Sequence, residues 1–175
     1  MGKVVAIVQA RMGSTRLPGK VMMDLEGRPV LHRVVTRTLR STLLDEAVVA
    51  TTTQQADGAI VEYCRHQGWP CFRGSEDDVL DRYYRAASDC GAEIVVRITS
   101  DCPLIDPEII DMVVGKFLSS RDLDYASNTL PPRTFPRGLD VEVLSYAALE
   151  RAWHDELFAP RKIWGRRIWP RDFVS

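Results

Sequence analysis

A three-layer α/β domain with a mostly parallel sheet is the fold this sequence predicts, and three observations carry that expectation. Short apolar or β-branched runs alternate with amphipathic segments, as strand–helix–strand units require. The first run, Val4 to Gln9, empties into a loop dense in glycines and cations, while a later run, Glu93 to Ile98, leads to Asp101. Size agrees: 175 residues, 45% hydrophobic and 27% charged, suit one globular domain with a real core and are short for two.

The formal charge of −1 predicts no general attraction to nucleic acid or membrane, so any basic site must be local. Cys64, Cys71, Cys90 and Cys102 form no C-x-x-C pair and read as reduced structural thiols. The opening MGKVVAIV is too short and too soon interrupted for a signal peptide, and no apolar run approaches a membrane span. The cytoplasm is the expected location.

The loop after the first strand packs Arg11, Gly13, Ser14, Thr15, Arg16, Pro18, Gly19 and Lys20 into ten positions. Glycines let backbone approach an anion closely, Pro18 stiffens the loop, and Arg11, Arg16 and Lys20 supply cations for a polyphosphate. A strand ending in such a loop puts a phosphate site at the carboxyl edge of a sheet. The spacing excludes a P-loop. Five residues separate Gly13 from Gly19, and Lys20 precedes Val21, which has no hydroxyl for magnesium. No G-x-G-x-x-G dinucleotide fingerprint occurs.

ARMGSTRLPGK followed by LEGRPVLHRV resembles the cytidylyltransferase branch of the sugar-activating nucleotidyltransferases, which includes the SpsF-like spore-coat polysaccharide proteins. Acylneuraminate and 3-deoxy-manno-octulosonate cytidylyltransferases are relatives of that branch. The resemblance runs from about Lys3 to Trp153. It implies a Rossmann-like, GT-A-type αβα fold that binds CTP, and attack by a sugar hydroxyl on the α-phosphate with pyrophosphate leaving. It also allows a homodimer.

After the loop, Gly27-Arg28-Pro29 predicts a turn, and Val30, Leu31, Val34, Val35 and Thr38 mark one face of a helix. His32 has no metal-spaced partner and reads as a surface or capping side chain. Ala47 to Thr51 is the second strand. Thr51 and Thr52 at its end suit either contact with a base or a helix cap. Ala56, Ala59, Ile60, Tyr63 and Cys64 have core spacing in a helix that stops at Gly68. Pro70 to Phe72 is a short strand, after which Ser75 is the expected N-cap of a helix burying Val79, Leu80, Tyr83, Ala86, Ala87 and Cys90. In the resembled family the equivalent G-S-E-D-D-V-L turn borders the nucleotide, which makes Arg73, Gly74 and Ser75 candidates.

Glu93 to Ile98 leads into the second constellation, Arg97-Ile98-Thr99-Ser100-Asp101-Cys102-Pro103-Leu104. Asp101 at the end of a buried parallel strand faces the same edge as the first loop and is placed to hold Mg²⁺, which favours one or two carboxylates plus phosphate oxygens. D-x-P-L also resembles the metal-binding motif of these transferases. Ala10, Arg11, Gly13, Ser14, Arg16, Lys20, Arg97, Thr99 and Ser100 complete the candidate nucleotide site. Asp106-Pro107 opens a helix through Ile109, Ile110, Val113, Val114, Phe117 and Leu118. Leu123 to Ala126 is a fifth strand, and NTLPPRTFPRG is an ordered or semi-ordered loop. Leu139 to Leu144 alternates apolar and acidic residues, placing Asp140 and Glu142 on one strand face. Arg137, Asp140 and Glu142 are candidates for the acceptor sugar, and in the SpsF-like relatives this phrase belongs to the sugar side. Ser145 caps a helix carrying Leu149 and Trp153.

Beyond His154 the chain departs from the family pattern. One domain is expected over 1–154, followed by a divergent tail, 155–175, in which the late segment carrying a second metal-binding aspartate has no match. Asp140 or Glu142 could stand in for that ligand. The expected function is sugar activation with CTP and Mg²⁺, with an acidic sugar for spore-coat or other surface polysaccharide as the expected acceptor and Arg11, Lys20 and Asp101 as the catalytic set. Two alternatives stay open, a nucleotide-binding chain without turnover and a transferase for another nucleotide.

Overall fold

The computed structural model describes residues 2–15, 17–120, 123–130 and 133–155. Taken in order, the elements are β1 (Val4–Gln9), α1 (Val30–Thr38), β2 (Glu46–Thr52), α2 (Gly58–Gln67), β3 (Cys71–Gly74), α3 (Val79–Asp89), β4 (Ile94–Thr99), α4 (Pro107–Ser119), β5 (Tyr125–Ser127), β6 (Glu142–Ser145) and α5 (Tyr146–His154). They build a six-stranded sheet in the order β3-β2-β1-β4-β6-β5. The first four of these strands are mutually parallel; β6 runs antiparallel to both β4 and β5.

Side-chain alternation along β1 explains the layering. Val4, Ala6 and Val8 join the core shared with Leu31 and Val34 of α1, Ile60 of α2 and Val114 of α4. Val5 and Ile7 join the opposite core, with Leu80 and Tyr83 of α3 and Leu149 of α5. Both faces of β1 are therefore covered, as its unbroken apolar run requires. Helix punctuation matches the sequence at three points. Gly68 ends α2 in the left-handed conformation at φ 69°, Asp106 and Pro107 start α4, and Ser145 caps α5 through Ala148 N–H.

Other boundaries move. Asp78, not Ser75, caps α3 by accepting from Asp81 N–H at 2.8 Å; Ser75 Oγ accepts from Asp78 N–H at 3.0 Å and so shapes the turn before it. Ala56 and Ala59 are exposed, and α2 buries only Ile60 and Cys64. The last strand is shorter than the expected 139–144 and leaves Asp140 outside it. The 155–175 tail, apart from Asp155, lies outside the described residues.

Candidate functional site

The parallel strands β1 to β4 all end on one rim, and the site grows out of the loops that follow β1 and β4. Ala10 extends the sheet by donating its N–H to Ala50 O at 3.1 Å. The chain then turns about Met12, whose carbonyl accepts from Ser14 N–H at 2.8 Å and from Gly19 N–H at 2.9 Å. Gly19 closes the turn at φ 72°, a left-handed conformation that a side chain would strain. A short 3₁₀ turn, Lys20–Met22, follows and carries Lys20 over the strand ends.

On the adjacent strand, Ser100 N–H donates to Gln9 O at 3.0 Å, so the β4 exit is locked to the β1 exit. That lock brings Lys20 Nζ to 2.7 Å from Asp101 Oδ2, across 81 residues of chain. Beside this pair lies a cleft of about 230 Å³ lined by Gln9, Arg11, Ser14, Thr15, Lys20, Val21, Arg97, Thr99, Ser100 and Asp101. Burial pushes the Asp101 carboxyl up, but hydrogen bonds from Lys20 and Thr99 and the lysine charge outweigh it and hold it below the usual carboxylate range. Asp101 is thus ionised at neutral pH. It offers a carboxylate to a cation on the same wall from which Arg11 and Lys20 offer charge to an anion.

The structure gathers Arg11, Ser14, Lys20, Arg97, Thr99, Ser100 and Asp101 around this cleft. The other expected contacts are placed elsewhere. Ala10 is buried, Gly13 is exposed in the loop, and Arg16 lies outside the described residues. Thr51 and Thr52 are fully buried. Thr52 Oγ1 donates to Asp57, which leaves it no hydroxyl for a base. Arg73 spends Nε and Nη2 on the carbonyls of Thr52 and Gln54, both at 3.0 Å, bracing the β2–α2 loop. Gly74 is buried at the end of β3, and Ser75 turns inward to the α3 cap.

On the proposed acceptor side, Arg137 is exposed, while Asp140 is held by Arg133 at 2.7 and 3.1 Å. Glu142 and Asp140 do not form the shared strand face that alternation predicts. Glu142 is only 6% exposed, pairs with Arg97 and accepts from Tyr125 Oη at 3.1 Å. Period-two spacing reveals facing direction and not burial depth, so a buried structural carboxylate reads like a pocket one.

Asp57 escaped the sequence reading altogether. It is 2% exposed and joins the two loops: Oδ1 accepts from Met12 N–H at 2.7 Å, and Oδ2 from Thr52 N–H at 3.2 Å. An acid just before a helix reads as a cap, and only the fold shows that it grips the phosphate-type loop. No group of three potential metal-ligating side chains occurs among the described residues. One carboxylate facing a polyphosphate still fits magnesium, which takes most of its ligands from phosphate and water.

A cytidylyltransferase family model matches residues 5–162. Among curated relatives, an uncharacterised protein of Methanocaldococcus jannaschii is 43% identical over 151 residues, 86% of this chain and 60% of that protein. The spore coat polysaccharide biosynthesis protein SpsF of Bacillus subtilis is 36% identical, covering 83% of this chain and 60% of the relative. A 3-deoxy-manno-octulosonate cytidylyltransferase of Trichlorobacter lovleyi is 37% identical over 69% of this chain and 47% of its own length. The present chain therefore spans about three-fifths or less of these relatives. A cytidylyltransferase structure from Leptospira borgpetersenii superposes with a TM-score of 0.82 at 38% identity, covering 87% of this chain and 64% of that one. A CMP:2-keto-3-deoxy-manno-octonic acid synthetase complexed with CTP shares the fold, with a TM-score of 0.69 at 21% identity, over 85% of this chain and 76% of the other.

Proposed function

The chain belongs to the cytidylyltransferase family, and from that premise we propose that it activates a sugar with CTP, releasing pyrophosphate, for polysaccharide biosynthesis. The observation that carries this reading is the 2.7 Å contact between Lys20 and Asp101 on the cleft wall. It brings a lysine ammonium and an aspartate carboxylate to the same point of the rim. Two sequence motifs far apart in the chain meet there, where a triphosphate needs both signs of charge.

In this reading Arg11, Lys20 and the Ser14 hydroxyl grip the triphosphate, and Thr99 and Ser100 border it from the β4 side. An acceptor oxygen of the sugar forms a bond to the α-phosphorus as the bond from that phosphorus to the bridging oxygen breaks. Pyrophosphate leaves with the electron pair, and the acceptor loses its proton. Catalysis of this kind rests on positioning and charge stabilisation, so it requires no nucleophilic side chain. Asp101 would hold Mg²⁺ against the phosphates, and the ion supplies further neutralisation of negative charge in the transition state. Arg137, exposed near the β5–β6 side, would meet an acidic acceptor such as a sugar carboxylate. SpsF, by its name a spore-coat protein, lends the surface-polysaccharide setting its support. A cytoplasmic location agrees with the absence of any helix, among the described residues, long and apolar enough to cross a membrane.

Pyrophosphate release from CTP, Mg²⁺ and a panel of neutral and acidic sugars tests the proposal. Turnover with an acidic sugar is expected, and Asp101→Asn should abolish it while leaving CD and thermal unfolding close to wild type. Full activity in Asp101→Asn would remove the metal role from this residue. Binding of CTP with no turnover on any sugar would favour the nucleotide-binding alternative.

A further inference from the structure

Cys64 and Cys71 stand apart from the cleft lining, and the turn between α2 and β3 brings them together. Cys64 lies one helical turn beyond Ile60, and both side chains are wholly enclosed in the core. Gly68 then ends the helix, and Trp69 N–H donates to Cys64 O at 3.0 Å, so the chain folds back over the residue it has just left. Cys71 opens β3 opposite Val49, which points into the same core as Ile60 and Cys64. By alternation Cys71 therefore faces α2, and its side chain packs against that core. The two thiols are within hydrogen-bonding reach, Cys64 donating to Cys71. Six residues separate them in the sequence, outside any C-x-x-C spacing, so only the turn reveals the pair.

Their surroundings differ. Cys64 is buried, whereas Cys71, on the edge strand of the sheet, is partly open to solvent. The hydrogen bond from Cys64 draws the Cys71 thiol below its ordinary value; burial opposes this, and the charge of Arg73, two residues along the same strand, supports it. Cys90, by contrast, is pushed up by burial. A partly open thiol with thiolate character is the reactive kind. A second thiol against it captures the sulfenic acid before further oxidation, which keeps the chemistry reversible.

We propose that Cys71 is a peroxide-reactive thiol and Cys64 its resolving partner, the pair closing to a reversible disulfide between α2 and β3. The Cys71 thiolate attacks one oxygen of hydrogen peroxide. An S–O bond forms, the O–O bond breaks, and the departing hydroxide takes up a proton to leave as water. The Cys64 sulfur then attacks the sulfur of that sulfenic acid. An S–S bond forms, the S–O bond breaks, and the hydroxyl leaves as a second water with the Cys64 proton. In sum two thiols lose two electrons and two protons, and one peroxide becomes two waters.

Peptide mapping of the reduced full chain, treated with hydrogen peroxide at neutral pH and then blocked with N-ethylmaleimide, reads the bond directly. Cleavage after Arg65 and Arg73 puts the two cysteines on separate peptides, 41–65 and 66–73. These should appear joined as the major product, free thiols should fall from four to two, and dithiothreitol should restore all four. In Cys64→Ser, Cys71 should accumulate as the sulfenic acid and be trapped by dimedone. In Cys71→Ser, Cys64 should stay reduced at the same peroxide dose. A wild-type map without the joined peptides overturns the proposal, and this arm decides even where a variant does not fold. Cys64 oxidised as readily in folded Cys71→Ser as in wild type overturns it too, because Cys64 would then be the reacting sulfur. Loss of the Cys90 or Cys102 thiol ahead of the pair has the same consequence.

Discussion

Lys20 and Asp101 hold each other on the cleft wall, and that contact sets the behaviour of both side chains. The ammonium stands where a cation would meet the carboxylate, so a triphosphate that draws Lys20 away would free Asp101 for magnesium. Asp101 titrates below its ordinary range, so the folded-state stability it contributes is present above about pH 4 and is lost as pH falls through the lowered value. Lys20→Met removes both the hydrogen bond and the nearby charge. It should weaken tripolyphosphate and CTP binding by about tenfold, consistent with loss of one charge-assisted hydrogen bond, and raise the Asp101 midpoint. Carboxyl-carbon NMR across pH 2–6 reads the second effect directly; an unmoved midpoint would show that Lys20 is not what depresses it. This pairing was foreshadowed in the sequence because both members stand at strand exits. Asp57 was invisible there for the opposite reason. An acid before a helix has an ordinary local explanation, and only its burial against the Met12 and Thr52 backbone removes that explanation.

At the scale of elements, the sequence located strands and helices well where the pattern was long and sharply punctuated. The apolar run of β1 matches its expected bounds, and Pro107 after Asp106 fixes the start of α4. It did less well where two polar residues compete for one job. Ser75 and Asp78 both suit an N-cap, and the chain uses them in sequence, the serine holding the turn and the aspartate holding the helix. Spacing alone could not rank them, since each stands before an apolar run. Asp78→Ala should cost about 1 kcal/mol of stability, as loss of a true cap does, with Ser75→Ala costing less. Urea unfolding of the two variants checks the order, and the reverse order would return the cap to Ser75. The β6 error has a related cause. Val141 and Val143 are buried, but the alternation over Leu139 to Leu144 could not tell that ladder pairing begins only at Glu142.

Across the whole molecule, the sheet is two pieces of different origin in the chain. The four parallel strands carry the cleft, while β6 and β5 return antiparallel along the edge of β4. Besides backbone pairing and the two shared hydrophobic cores, a buried polar cluster joins the pieces: Arg97 on β4 pairs with Glu142 on β6, which also accepts from Tyr125 on β5. The Arg97 and Glu142 side chains are 16% and 8% exposed, so each charge depends on the other for solvation. Replacing one partner strands the other in a poorly solvated position, a change that costs about 3–5 kcal/mol for a buried pair. Glu142→Ala should therefore unfold at markedly lower urea concentration than wild type, with amide exchange rising first in β5 and β6. Because Arg97 also lines the cleft, its freed guanidinium would perturb the nucleotide side as well, so CTP affinity should fall together with stability. A residue that merely oriented the acceptor sugar would behave otherwise. Its loss would raise KM for the sugar and leave both urea midpoint and CTP affinity unchanged, and that result would restore Glu142 to the substrate side.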